Sequence, residues 1–173
     1  MIPNSSAISG GLFWSKTPYN RGFELKRNGE IVGSLWQTSF WSTEFRAESA
    51  HGSWKFRHIG GLRSGTEIVD SKSDARIAIF KPNWRGGGAL AFSDGLTLKI
   101  TCQGFWRPVW TVLTENGQAV LSIHSREKTV EVVRESHLSE DRLILLAIFA
   151  WRVIQQAAED AASTAAMVAL TAG

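Results

Sequence analysis

Leu143-Ile144-Leu145-Leu146-Ala147-Ile148-Phe149-Ala150-Trp151 is the stretch that decides the fold. Read as a helix, it is apolar on every side, because successive helical side chains point about 100° apart and the run covers the whole circumference. Such a helix has no solvent face and must be enclosed by protein or by lipid. Leaving its large side chains in water would forfeit about 1.5 to 3 kcal/mol each, against roughly 5 to 15 kcal/mol of stability for a whole domain. Enclosure is therefore a condition of folding. A membrane span needs about 20 predominantly apolar residues, whereas Arg152, Gln155, Gln156, Glu159 and Asp160 follow soon after this run. Length favours protein as the enclosure.

What precedes the run is a series of short alternating segments. Trp41, Thr43, Phe45 and Ala47 alternate with Ser42, Glu44, Arg46 and Glu48, and Leu96, Leu98, Ile100 and Cys102 alternate with Thr97, Lys99, Thr101 and Gln103. In an extended chain the first set of each faces a core and the second faces water. Trp54 and Phe56 repeat the pattern against Lys55 and Arg57. Turn residues separate the segments: Asn28-Gly29, Gly60-Gly61, Ser71 to Asp74, Asp94-Gly95 and Asn116-Gly117. Asn-Gly and Asp-Gly accept the positive φ angles of tight hairpins. The pattern predicts about twelve strands, near 11–15, 22–27, 30–37, 41–48, 53–59, 66–70, 75–80, 89–93, 96–103, 108–114, 118–124 and 128–134. They form a nearly continuous antiparallel meander.

Ser139 stands where a helix N-cap belongs, with Glu140 and Asp141 favourably placed at the positive end of the helix dipole. A helix over about 139–156 extends roughly 25 Å, close to the height of a small barrel. The expected fold is thus mainly β: one domain over 1–173, a closed antiparallel β-barrel of about twelve strands (11–134) around a central hydrophobic C-terminal α-helix. The rows Trp41/Phe45, Trp54/Phe56 and Leu98/Ile100 should pack against Leu145, Ile148 and Phe149. Two other folds compete: a lipocalin-like barrel with an empty lumen and an amphipathic helix outside it, and a β-sandwich with a packed helix. The Ala-rich tail 157–173 either extends the helix beyond the barrel or frays, as Ser5, Ser6, Gly10 and Gly11 suggest for the start.

The chain has 173 residues, 43% hydrophobic and 20% charged, which suits a single core. Its net charge of +3 permits attraction to phosphates or anionic lipid but is too small to argue for nucleic acid. A single cysteine, Cys102, excludes an intrachain disulfide framework and a zinc site of several thiolates. The opening Met1 to Asn20 lacks the features of a secretory signal. A cytoplasmic protein, peripheral at the membrane, is the expectation.

With the hairpins from Gly22 to Arg134 and the segment from Ser139 to Trp151 in view, the chain resembles the tubby C-terminal-like superfamily. That group includes tubby domains, phospholipid scramblases and LURP-one-related plant proteins. The resemblance lies in the order of elements and implies a twelve-stranded barrel closed on a buried helix. It also implies a membrane-facing binding module, since tubby domains bind phosphoinositides through basic side chains on the barrel exterior and scramblases are associated with calcium and lipid movement. No residue set of either kind aligns here. No loop shows the ligand spacing of a calcium site.

The outward cations Lys55, Arg57, Arg76, Lys81 and Arg85 could gather phosphate oxygens if their hairpins fall together. The competing reading is cross-strand ion pairing with Glu44 and Glu48. Lys81-Pro-Asn-Trp-Arg-Gly-Gly-Gly88 reads as a mobile loop able to set Trp84 among lipid headgroups beside Arg85. It runs into a strand and not a helix, which argues against a nucleotide site. Gly104-Phe105-Trp106-Arg107-Pro108 pairs aromatics with Arg107 in the same way, and its plainer reading is a packed turn. Cys102 with His124 or His137 could form a nucleophile and base, but the alternation turns Cys102 inward as a small buried hydrophobe. His51, His58, His124 and His137 share no metal-ligand spacing.

The sequence therefore predicts a non-enzymatic, membrane-associated module recognising phospholipid or phosphoinositide headgroups, without cofactor, metal or nucleic acid. Its predicted ligand contacts are Lys55, Arg57, Arg76, Lys81, Trp84, Arg85 and Arg107. Two alternatives stand beside it, a soluble barrel that binds a protein partner and a carrier of a small apolar ligand.

Overall fold

A computed structural model describes residues 11–18, 22–60, 64–133 and 137–171. Ser5, Ser6 and Gly10 of the expected frayed start, Gly61, Arg134 and positions 172–173 lie outside them. Twelve strands precede one helix: β1 (Leu12–Lys16), β2 (Gly22–Arg27), β3 (Glu30–Gln37), β4 (Phe45–Ser49), β5 (Gly52–Ile59), β6 (Gly65–Asp70), β7 (Arg76–Pro82), β8 (Gly88–Phe92), β9 (Thr97–Gln103), β10 (Val109–Thr114), β11 (Ala119–His124), β12 (Thr129–Val132) and α1 (Glu140–Thr171).

Each strand pairs antiparallel with its neighbours in sequence, and β12 returns to β1, so the sheet closes on itself. Leu12 lies opposite Val130 at the seam, and the Trp14 N–H donates to the Lys128 carbonyl at 2.7 Å. Closure leaves no unpaired edge. Asn28 and Gly29, both at positive φ (51° and 86°), make the tight β2–β3 turn that their sequence promised.

The alternation sorts side chains as expected. Leu25, Leu35, Ala47, Trp54, Phe56, Ile68, Leu90, Leu98, Ile100 and Val112 face a core whose axis is α1. Every residue of α1 from Leu143 to Trp151 is buried, so the sleeve around the helix is complete. Phe149 meets Phe56 and Phe80 edge-on, with ring centroids at 5.2 and 5.4 Å. Gly33 faces the helix because a Cβ there would come within 2.8 Å of the Ile148 Cδ1. The lumen is thus filled by side chains, unlike that of a lipocalin.

Two sequence expectations need correction. Trp41 is 88% exposed and does not join an inward row, because β4 begins only at Phe45. Residues 38–44 are held as a turn instead: the Ser42 N–H donates to the Ser39 carbonyl and the Glu44 N–H to the Ser42 Oγ. The stretch from Lys81 to Gly88 is a bonded hairpin, not a loose loop. The Asn83 N–H donates to the Gly87 carbonyl at 2.8 Å, and the Asn83 side chain accepts from the Arg85 N–H at 2.9 Å. Gly87 serves packing, since a Cβ there would collide with the Ile100 carbonyl of the neighbouring strand, and Gly86 supplies the positive φ of 86° that the turn requires.

Ser139 caps α1: its Oγ accepts from the Arg142 N–H at 3.4 Å and its carbonyl from the Leu143 N–H at 3.0 Å. The helix does not stop at 156. It continues to Thr171, with everything from Ala158 onward exposed.

Candidate functional site

A continuous meander alternates its turns between two ends of the barrel. Turns after even-numbered strands lie at the end where α1 begins, here the cap end. Turns after odd-numbered strands lie where α1 leaves, the exit end. Side-chain contacts agree with this parity. At the cap end the first helical turn is tied to three hairpins, through Glu140 to Arg27 (2.6 Å), Asp141 to His51 (2.9 Å) and Arg142 to Asp94 (2.7 Å). Asp94 is held below its ordinary value by the Arg142 guanidinium and then by the Leu96 N–H.

The exit end carries a different chemistry. The β3–β4 turn presents Phe40 against Trp41 (4.7 Å), the β7–β8 turn presents Trp84 and the β9–β10 turn presents Phe105 against Trp106 (5.4 Å). Trp84 and Trp106 are 87% and 83% exposed. The Arg85 guanidinium lies over the Trp84 ring at 4.5 Å. Three exposed indoles, Trp41, Trp84 and Trp106, thus share one end of the barrel. Around them, Lys16, Lys81, Arg85, Arg107, Arg126 and Lys128 are exposed, and none has an acidic partner among the described residues. Acids at this end are Glu44, held by Arg57 at 3.3 Å, Glu127, and Glu159 and Asp160 on the helix.

Beneath this rim, clefts flank the departing helix. One of about 440 Å³ lies between α1 and the β3–β4 turn, lined among others by Phe40, Phe45, His58, Arg152 and Glu159. A smaller one of about 220 Å³ shares His58 and Gln156 with it and reaches Asn83, Gly86 and Asp160. Arg152 is the basic group of the first cleft, with Glu159 as its counter-charge. Its guanidinium sits over the Phe45 ring at 4.0 Å, and Nη1 stands 3.6 Å from the Glu159 carboxylate, close enough for charge attraction but too long for a hydrogen bond. Burial lowers its proton affinity, and Glu159 and Asp160 oppose that effect.

The seven residues predicted from sequence divide between two places. Lys81, Trp84, Arg85 and Arg107 come together at the exit end. Lys55 and Arg57 lie on the barrel wall, where both grip Asp74 (3.0 and 2.7 Å), and Arg76 opens β7 two residues beyond it at the cap end. The hydrogen bond from Arg57 holds the Asp74 carboxyl down. Lys55 and Arg57 thus have local anionic partners, as the ion-pair reading expected for Arg57 and Glu44, although Lys55 chooses Asp74 over Glu48. Cys102 is half-buried against the core, and burial pushes its thiol up, away from thiolate chemistry.

Trp41, Phe105, Trp106 and Arg152 stand outside those seven: the alternation turned Trp41 inward, and Phe105 and Trp106 read as a packed turn, whereas their rings are 89% and 83% exposed. Strand parity was the available signal for the first three, because it puts the turns after β3, β7 and β9 on one end before any coordinates are seen.

Comparison with protein-family models, with curated proteins and with solved structures finds no match to this chain. Among the described residues, no helix is long and apolar enough to cross a membrane, and no group of three or more His, Cys, Asp or Glu side chains is placed to hold a metal ion.

Proposed function

We propose that the exit end is a docking surface for anionic phospholipid headgroups, making this protein a non-enzymatic module that sits peripherally on a membrane. One observation carries the reading: three separate hairpins deliver Trp41, Trp84 and Trp106 to the same end, exposed, among cations that have no acidic partner among the described residues. Tryptophan favours the membrane interface, where its ring meets acyl chains and its N–H meets water. Basic side chains near an anionic bilayer add about 1 kcal/mol each. At the cap end Arg27 and Arg142 are paired with acids, Arg76 is exposed, and no exposed tryptophan stands beside it among the described residues. The likeness to the tubby C-terminal-like superfamily in element order supports the same reading, with the headgroup contacts placed at Lys81, Arg85 and Arg107.

Co-sedimentation with phosphatidylcholine vesicles carrying phosphatidylserine or a phosphoinositide tests it. Binding should be strong at low salt and weaken as salt shortens the screening length to about 8 Å at physiological strength. A chain that stays in the supernatant with both anionic lipids at low salt would falsify the proposal.

A further inference from the structure

The last part of α1 has no role in the barrel. Ala157 is the final helical residue packed against the core, and from Glu159 to Thr171 the helix stands free of it. Glu159 and Asp160 mark its base, beside Arg152 and the clefts. Beyond them, Ala161 to Thr171 contains no charged residue, and its large side chains, Met167, Val168 and Leu170, are 69%, 61% and 84% exposed.

We infer that residues 161–171 are a single-leaflet anchor, a helical spike inserted among acyl chains while the aromatic rim rests at the headgroups. This rests on the proposed headgroup surface and adds what the protein does below it. Length is the first support. At about 1.5 Å per residue the uncharged segment extends roughly 16 Å, the depth of one leaflet of a hydrocarbon core about 30 Å thick. Satisfaction of the side-chain hydroxyls is the second. Every hydroxyl in the segment donates to the helix's own backbone: Ser163 to the Glu159 carbonyl (3.0 Å), Thr164 to the Asp160 carbonyl (2.9 Å) and Thr171 to the Met167 carbonyl (3.1 Å). A hydroxyl bonded in this way loses little on leaving water.

Placement is the third support. The helix runs through the barrel, so it leaves at the centre of the ring formed by the turns after β3, β7 and β9. Gly86 of one such turn lies against Ala157, where a glycine Cβ would stand 3.6 Å from that methyl. When Trp41, Trp84 and Trp106 sit at the interface, the spike points inward along the membrane normal. Glu159 and Asp160 then stay at headgroup level. A second copy packed on this helix would cover its alanines but leave those indoles in water, so lipid is the occupant that uses both features.

The test places a fluorophore sensitive to polarity on Val168→Cys in a Cys102→Ser background, with a second label on Lys72→Cys at the cap end. Phosphatidylcholine–phosphatidylserine vesicles carry nitroxides high or low on the acyl chain. The Val168 label should shift to the blue and be quenched most by the deep nitroxide, while the Lys72 label stays aqueous. The double variant Met167→Asp, Leu170→Asp touches no core residue, so it should keep the thermal midpoint of the barrel and lose at least about tenfold in vesicle affinity. An aqueous Val168 label on a vesicle-bound protein overturns the anchor and leaves the headgroup reading standing. Failure of the unaltered chain to bind vesicles overturns both. A lipid-free dimer that the double variant dissociates assigns the segment to a second copy and also overturns the anchor.

Discussion

The indole of Trp151 lies flat on that of Trp14, ring centroids 5.3 Å apart and planes 13° from parallel, with Phe23 closing the pair edge-on at 5.6 Å. This stack joins the central helix to the strand that seals the barrel, so it couples helix docking to closure of the sheet. Neither indole N–H has a hydrogen-bond partner among the described residues, and the contact is one of ring faces and area.

Trp151→Ala should therefore cost about 3 to 5 kcal/mol, the usual loss for a large buried ring. Urea unfolding followed by circular dichroism would show a lower midpoint with an unchanged slope. Trp151→Phe keeps a ring on Trp14 and gives up no hydrogen bond, so its loss should be smaller.

Gly87 and Gly60 make a matched pair. A Cβ at Gly87 would strike the Ile100 carbonyl, a backbone atom with no room to yield, whereas Gly60 faces open space. Gly87→Ala is expected to destabilise by about 1 to 3 kcal/mol, and Gly60→Ala to be neutral or to stabilise by up to about 1 kcal/mol through the unfolded chain. Thermal unfolding of the two variants side by side checks this.

Acid should loosen the helix cap. Asp94 is held below its ordinary value of 3.8 chiefly by Arg142. A carboxyl whose folded pKa is depressed contributes stability above its ordinary value and loses that contribution as pH falls through the folded value. The stability difference between the natural chain and Asp94→Asn should thus be constant near neutrality and shrink below about pH 4. Denaturant titrations across that range measure it, and a difference that grows on acidification would contradict the assignment.

Trp84→Ala combined with Trp106→Ala removes two exposed rings and no core contact. Stability should stay within about 0.5 kcal/mol, while vesicle binding drops. Charge reversal at Arg85 and Arg107 should instead flatten the salt dependence.

Most of the architecture was legible in the sequence because period-two alternation, turn dipeptides and an all-round apolar helix, taken together, leave few ways to bury what must be buried. All twelve predicted strands exist, and bounds differ by a residue or two except at β4. Trp41 misled because it continues the parity of Phe45 and Ala47, while the bonds that bend residues 38–44 come from the Gln37, Thr38 and Ser42 side chains and from backbone groups, with no periodic signature. The tail was ambiguous because alanine favours a helix wherever one has started, yet supplies nothing to pack. The site was harder to read. Lys55, Arg57 and Lys81 look alike as outward cations, and it is the placement of Asp74 and Glu44 that separates those already engaged from Lys81.

Threading the core element through the barrel also fixes an order of events during synthesis. The ribosome releases all twelve strands before the helix they must wrap, so the growing polypeptide is an unfilled, unclosed sheet for most of its translation. Burial of Phe56, Phe80 and Leu98 waits on Phe149 and its neighbours, and β1 waits on β12. A nascent chain stalled before Leu143 would expose that whole inner surface to chaperones and to other unfinished copies.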